Sequence, residues 1–104
     1  MNIVCVAACT AGIAHTYIAR EKLIKGAKAL GHNVKVETQG TIGTENELAA
    51  EDIDAADVVI LAIDVKIKGE ELFKNKRIVR VKTEVVIMSR IQFIEKVEKS
   101  LANA

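Results

Sequence analysis

Two stretches of this chain are apolar without interruption, Ile3–Ala8 and Val58–Ile63. A strand with one solvated face alternates apolar and polar residues, so an unbroken Val- and Ile-rich run reads as a strand covered on both faces. Shorter runs of similar character occur at Val34–Thr38 and Ile78–Val81. The segments between them have helical spacing. Strands joined through helices run parallel with right-handed crossovers. The expected fold is therefore α/β, a four-stranded parallel sheet in the order 2-1-3-4 with helices on both faces. Without linkers, repeats or low-complexity segments, residues 1–104 are expected to form one domain.

The helical segments differ in clarity. Thr16–Leu30 sets Ala19, Leu23, Ala27 and Leu30 on one stripe, and Gly31 is a good stop. Residues 44–56 predict a shorter helix; Thr44 and Glu47 have capping-box spacing, and Glu51-Asp52-Ile53 equally marks a later start. Residues 69–75 are a weak third helix. From Glu84 onward, Val85, Met88, Ile91, Ile94, Val97 and Leu101 form a stripe, with an interruption point near Ser89.

Composition excludes several classes of function. Two Phe, one Tyr and no Trp argue against base stacking, and a net charge of +1 argues against neutralising a phosphate backbone, so no nucleic-acid partner is expected. No apolar run approaches the roughly 20 residues of a membrane span. Val6-Ala7-Ala8-Cys9 looks like a lipoprotein cleavage box, but no positive side chain and too little apolar length precede it, so a cytoplasmic location is expected. On an extended strand Cys5 and Cys9 stand about 13 Å apart, beyond the roughly 7 Å of a disulfide. Cys5, mid-strand, reads as a buried small hydrophobe. The only histidines, His15 and His32, fall at opposite ends of the first helix, so neither a metal nor another cofactor is expected.

Charge is segregated. Residues 16–36 carry +4, residues 37–57 carry −7 with no basic side chain, and residues 66–82 carry +5. This pattern fits either solvated faces or a dipolar surface that steers protein partners.

In a sheet of this kind ligands bind beyond the carboxyl ends of the strands, at the topological switch point. The loop after the first strand, Ala8-Cys9-Thr10-Ala11-Gly12-Ile13-Ala14-His15-Thr16, is therefore the first candidate site. Its small residues let backbone N–H groups curl around an anion, and the following helix points its positive end at the same place. The helix dipole contributes at most about 2 kcal/mol. At about 1.36 kcal/mol per pKa unit, that brings a thiol at Cys9 from about 8.5 to near 7. A nucleophilic thiolate is one reading of this loop. The other is a tight strand-to-helix turn in which His15 and Thr16 only cap and pack.

The residues Cys9 to Thr16, Cys-Thr-Ala-Gly-Ile-Ala-His-Thr, resemble the signature of the fructose-type IIB domain of the bacterial sugar phosphotransferase system, usually Cys-Pro-Thr-Gly-(Ile/Val)-Ala-His-Thr. The resemblance continues through Val36-Glu37-Thr38-Gln39-Gly40, Gly43, Asn46-Glu47-Leu48 and Glu51-Asp52-Ile53, and covers nearly the whole chain. It implies a relay. A phosphoryl group passes from a phosphohistidine of the IIA component to the cysteine, here Cys9. It then passes to fructose or a related sugar delivered by the membrane IIC component. Thr10, Ala11, Gly12, Ile13, Ala14, His15 and Thr16 would form the phosphate cradle, with backbone N–H groups and the Thr16 hydroxyl as donors. His15 would bond phosphate or orient the loop. Gln39 and Gly40 would shape a partner-facing rim, unless Gly40 and Gly43 simply make a turn. A shuttle between two partners, peripheral to the membrane through IIC, fits a monomer. Thr10-Ala11 replaces the family's Pro-Thr, which restores an amide donor, frees φ and removes a hydroxyl.

Three other functions compete on this scaffold. A low-molecular-weight cysteine phosphatase needs an Arg six residues after the Cys, where this chain has His15, and its acid would have to be Asp64. A thiol-redox module needs Cys-x-x-Cys, which is absent. A non-catalytic binding module would keep the fold and fail to accept phosphate.

Overall fold

The structure is a computed structural model that describes residues 2–8, 13–40, 43–67 and 69–102. Its elements are β1 (Asn2–Ala8), α1 (Ile13–Ala29), β2 (Asn33–Gly40), β3 (Gly43–Glu45), α2 (Ala50–Ala55), β4 (Val58–Ile63), a 3-10 turn (Glu70–Phe73), β5 (Ile78–Val81) and α3 (Thr83–Ala102). The sheet order is β3-β2-β1-β4-β5. Strands β2, β1, β4 and β5 are mutually parallel, as expected, and β3 adds a fifth, antiparallel edge strand. The sheet is thus mixed and five-stranded rather than purely parallel and four-stranded.

The unbroken apolar strands bury both faces, and alternate residues serve opposite layers. Ile3, Cys5 and Ala7 of β1 and Val58, Ile60 and Ala62 of β4 pack with Ala19, Leu23 and Ala27 of α1 and Val86, Phe93, Ile94 and Val97 of α3. Val4, Val6 and Ala8 with Val59 and Leu61 pack instead against Leu48, Ile53, Ala56, Ile67 and Phe73. Helices α1 and α3 therefore cover one face, while α2 and the 3-10 turn cover the other.

Helix α1 ends where Gly31, at φ 81°, lets Gly31 N–H donate to Lys28 O (3.0 Å) and His32 N–H to Ala27 O (2.9 Å). This is a Schellman closure, for which a glycine is best suited. The region 44–56 divides. Its first residues pair with β2 through Thr38↔Glu45, Gln39↔Thr44 and Gly40↔Gly43, and only Ala50–Ala55 is helical. Helix α2 is fastened at both ends: Lys35 Nζ bonds Asp52 Oδ1 at 2.8 Å, and Lys76 Nζ donates to Asp54 O at 2.7 Å. The Lys35 bond holds the Asp52 carboxyl below the usual range.

Helix α3 runs through Ser89 without a break, because one interior serine costs only a few tenths of a kcal/mol while the buried face contributes far more. Over its first half the inward stripe is rotated from the expected one, while Ile94 and Val97 are buried as expected. Val86, Phe93, Ile94 and Val97 are buried, whereas Val85 is 45% and Met88 75% exposed. Val86 and Phe93 pack into the layer shared with α1 and the sheet, which Val85 and Met88 do not join.

Candidate phosphate-loop site

Strand β1 is the switch point of the sheet: the chain crosses from it through α1 to β2 on one side, and its other neighbour is β4. The register aligns Ala8 with Gln39 on β2 and Ile63 on β4, so three strands end together. Asp64 N–H donates to Ala8 O at 2.9 Å, closing the end of β1 against β4. Cys9 follows Ala8 directly in sequence; Cys9, Thr10, Ala11 and Gly12 lie outside the described residues.

The other wall of the junction is α1. The expected helix began at Thr16, but α1 begins at Ile13, so Ile13, Ala14, His15 and Thr16 make its first turn instead of a loop. The first N–H groups of a helix lack intrahelical acceptors, so this placement keeps their anion-binding capacity and orients it along the axis of 17 residues. The Thr16 side chain is buried at 3% exposure and starts the inward stripe that continues through Ala19, Leu23 and Ala27.

Three side chains that the sequence reading did not single out as site residues shape the surroundings. Glu37 is buried on β2; its Oε1 accepts from Leu48 N–H at 2.9 Å and its Oε2 from Gln39 Nε2 at 2.7 Å. Its signals were one acid inside the run Val34–Thr38 and its place in the motif Val36-Glu37-Thr38-Gln39-Gly40. Tyr17 Oη donates to Glu45 Oε1, tying the second turn of α1 to β3, and this bond to a carboxylate raises the phenol above its ordinary range. Thr83, 1% exposed, joins the end of β4 to the start of α3. Its N–H donates to Asp64 Oδ1 at 3.0 Å and its hydroxyl to Asp64 Oδ2 at 2.6 Å. Gly40 and Gly43 face each other across the β2–β3 hairpin, with Gly43 at φ 102°. The hairpin in turn carries Gln39 beside Ala8.

Both Asp64 oxygens are engaged with Thr83, which makes Asp64 a helix cap and leaves it poorly placed as the acid of a hydrolase. Asp64→Ala is expected to lower stability by about 1 kcal/mol, read as a shift in the urea unfolding midpoint. Loss of phosphatase activity in that variant, with stability unchanged, would contradict the capping role.

Cys5 is a free cysteine with 0% exposure, and burial pushes its thiol well above the ordinary range. A thiol reagent is therefore expected to label the native protein at one cysteine, Cys9, and to reach Cys5 only in denaturant, as peptide mapping of the adducts will show. A cavity of about 470 Å³ at the amino ends of the strands is lined by Asn2, Lys28, His32, Lys35 and Asp52 among others. It lies at the opposite end of the sheet from Ala8, the last residue of β1. Its polar groups already bond one another, Asn33 Nδ2 to Asn2 Oδ1 at 3.0 Å and Lys35 to Asp52. No helix among the described residues is long and apolar enough to cross a membrane.

The sequence profile described as PTS system, Lactose/Cellobiose specific IIB subunit matches residues 4–98. Over 101 residues the chain is 52% identical to the PTS system fructose-like EIIB component 2 of Escherichia coli (strain K12), spanning 97% of this chain and 95% of that protein. It is 41% identical over 103 residues to the fructose-like PTS system EIIBC component of the same strain, spanning 97% of this chain and 20% of that longer relative. The solution structure of the Enzyme IIB subunit of the PTS system from Escherichia coli K12 superposes with a TM-score of 0.92 at 30% identity, covering 98% of this chain and 94% of that one.

Proposed function

Because the chain belongs to the IIB family of the sugar phosphotransferase system, we propose that it is a phosphoryl carrier whose carrier atom is Cys9 Sγ. The observation that carries this reading is positional. Cys9 follows the end of the buried strand β1, four residues ahead of the first turn of α1, at the switch point of a sheet whose strands end together there.

The chemistry is two in-line displacements. The Cys9 thiolate attacks the phosphorus of a phosphohistidine on the IIA component; the S–P bond forms as the N–P bond breaks, and the imidazole keeps the electron pair and takes a proton. A sugar hydroxyl then attacks the same phosphorus, the O–P bond forms, and the thiolate leaves. The hydroxyl's proton passes to a base on the sugar-binding side. Backbone N–H groups of the cradle, with the Thr16 hydroxyl, neutralise the phosphoryl oxygens in both steps. Having His15 where a hydrolase has a bidentate Arg weakens transition-state stabilisation toward water, so the phosphocysteine persists until an acceptor arrives. The sugar is delivered by a membrane IIC component, a partner supported by the EIIBC relative. The carrier works at the cytoplasmic face of that component on fructose or a related sugar.

The test is phosphoryl capture. With phosphoenolpyruvate, the general components of the system and a matching IIA, the intact mass should rise by one phosphoryl group, mapped to Cys9. If label never reaches this chain, the carrier reading is wrong.

A further inference from the structure

Strand β5 closes one end of the sheet, and among the described residues no strand pairs with its outer side. Val59 N–H donates to Arg77 O at 2.8 Å, so the Arg77 carbonyl faces β4. Backbone polar groups alternate sides along a strand. Val79 and Val81 therefore also turn theirs to β4, while Ile78 and Arg80 present theirs outward. The side chains divide as well. Val79 and Val81 pack toward α3, and Ile78 packs on the opposite face, where Arg80 bonds Glu70 at 2.9 Å. Between β5 and α3 lies a groove of about 330 Å³, lined chiefly by Val79, Val81, Val85, Phe93 and Val97. Lys96 is the one charged side chain among the described residues on its wall. Val85 is 45% exposed, and Met88, one helical turn on, carries the apolar surface beyond the groove at 75% exposure. Charge along this edge is positive: residues 66–82 carry +5, and Arg80, Lys82 and Lys96 are exposed. An edge that only needed protection from stray pairing would carry the charge without the apolar groove.

We propose that the β5 edge and its groove take up an extended segment of a partner protein in which apolar and acidic residues alternate. The segment bonds the outward backbone groups of Ile78 and Arg80 and becomes a sixth strand. Its apolar side chains, about 6.6 Å apart on one face, fill the groove, and its acidic side chains on the other face meet Arg80. A second copy of this chain fits poorly. Pairing β5 with β5 of a copy brings the Arg80 and Lys82 cations of both together, and like charges across a ladder destabilise it. The acidic edge β3 is Gly-Thr-Glu, which has no apolar side chain to offer the groove. This docking depends on the fold alone, so it stands or falls separately from the carrier reading.

The probe is a short peptide alternating Val and Glu, titrated into the isotope-labelled protein and followed by amide NMR shifts. The shifts should gather on Ile78–Val81 and on Val85, Phe93 and Val97. Binding should weaken about tenfold in Arg80→Glu, which reverses the rim charge, and about tenfold in Val85→Asp, which puts a carboxylate beside the groove. Methylating the peptide's backbone nitrogens removes its donors and should weaken binding by a similar factor, which keeps the test intact if either variant folds poorly. A peptide alternating Val and Lys should bind at least about tenfold more weakly than the Val–Glu peptide. Equal binding of the two peptides, shifts centred away from β5 and α3, or no binding of the Val–Glu peptide overturns the proposal. So does a dimer in sedimentation that Val85→Asp dissolves, because a second copy then occupies the groove.

Discussion

Replacing Cys9 by serine is expected to reduce phosphoryl transfer to the sugar by about 10⁴-fold or more, the scale of losing a covalent nucleophile. A serine hydroxyl in the same place ionises far less readily than a thiol, and a helix terminus that lowers a pKa by only a unit or two cannot close that gap. The measurement is the rate of sugar phosphate formation in the reconstituted system, with phosphohistidine on the IIA partner monitored in parallel. The donor should stay phosphorylated while sugar phosphate fails to form. Cys5→Ala is the matching control. Its thiol is fully buried in the layer between the sheet and α1 and α3, so the variant should lose some stability and keep its rate within about twofold. Equal losses in the two variants would mean that transfer depends on packing around β1 and not on a thiol at position 9.

The largest stability effect is expected at Ile60. This side chain has 0% exposure in the middle of β4, a strand paired on both sides, with Ile60 in register with Cys5 of β1 and Val79 of β5. It packs in the layer shared with Leu23, Phe93 and Ile94. Truncation to alanine leaves a cavity that strands on both sides and two helices above cannot fill, at a cost of roughly 3–4 kcal/mol. Against the roughly 5–15 kcal/mol that holds a domain together, this lowers Tm by about 15–25 °C. Leu72, 62% exposed on the 3-10 turn, is the contrast: its alanine variant should melt within about 0.5 kcal/mol of wild type. A thermal melt by circular dichroism decides both. A small shift for Ile60→Ala would contradict two-faced burial of β4.

Much of this architecture was legible in the residues. The runs Ile3–Ala8 and Val58–Ile63 are strands, and they sit side by side at the centre of the sheet, because unbroken Val and Ile tolerate no solvated face. Gly31 ends α1 as expected, since a positive φ is cheap for glycine and costly for other residues. The segment Gly43–Glu45 was not legible as a strand. Its residues Gly43, Thr44 and Glu45 contribute no apolar side chain, and what makes it a strand is a backbone ladder to Thr38–Gly40 that no side-chain pattern records. The rotation of α3 was hidden for a related reason: Val85 and Met88 fit an apolar stripe as well as Val86 and Phe93 do, and only the sheet and α1 choose between the stripes.

The candidate site divides along the same line. By itself the sequence determined where to look, the junction where a buried strand gives way to Cys9 and then a helix, because local pattern and chain order suffice to find the end of a central strand. Only the tertiary structure decided what surrounds it. It turned Asp64 into a cap for Thr83, set Glu37 between Leu48 and Gln39, and tied Tyr17 to Glu45. All but the Glu37–Gln39 bond join residues 11 or more apart in the chain, brought together by strand register and hairpin closure. Hydrogen bonds of that range leave no periodic trace in a sequence, because they depend on where the folded backbone brings each group and not on the residues beside it.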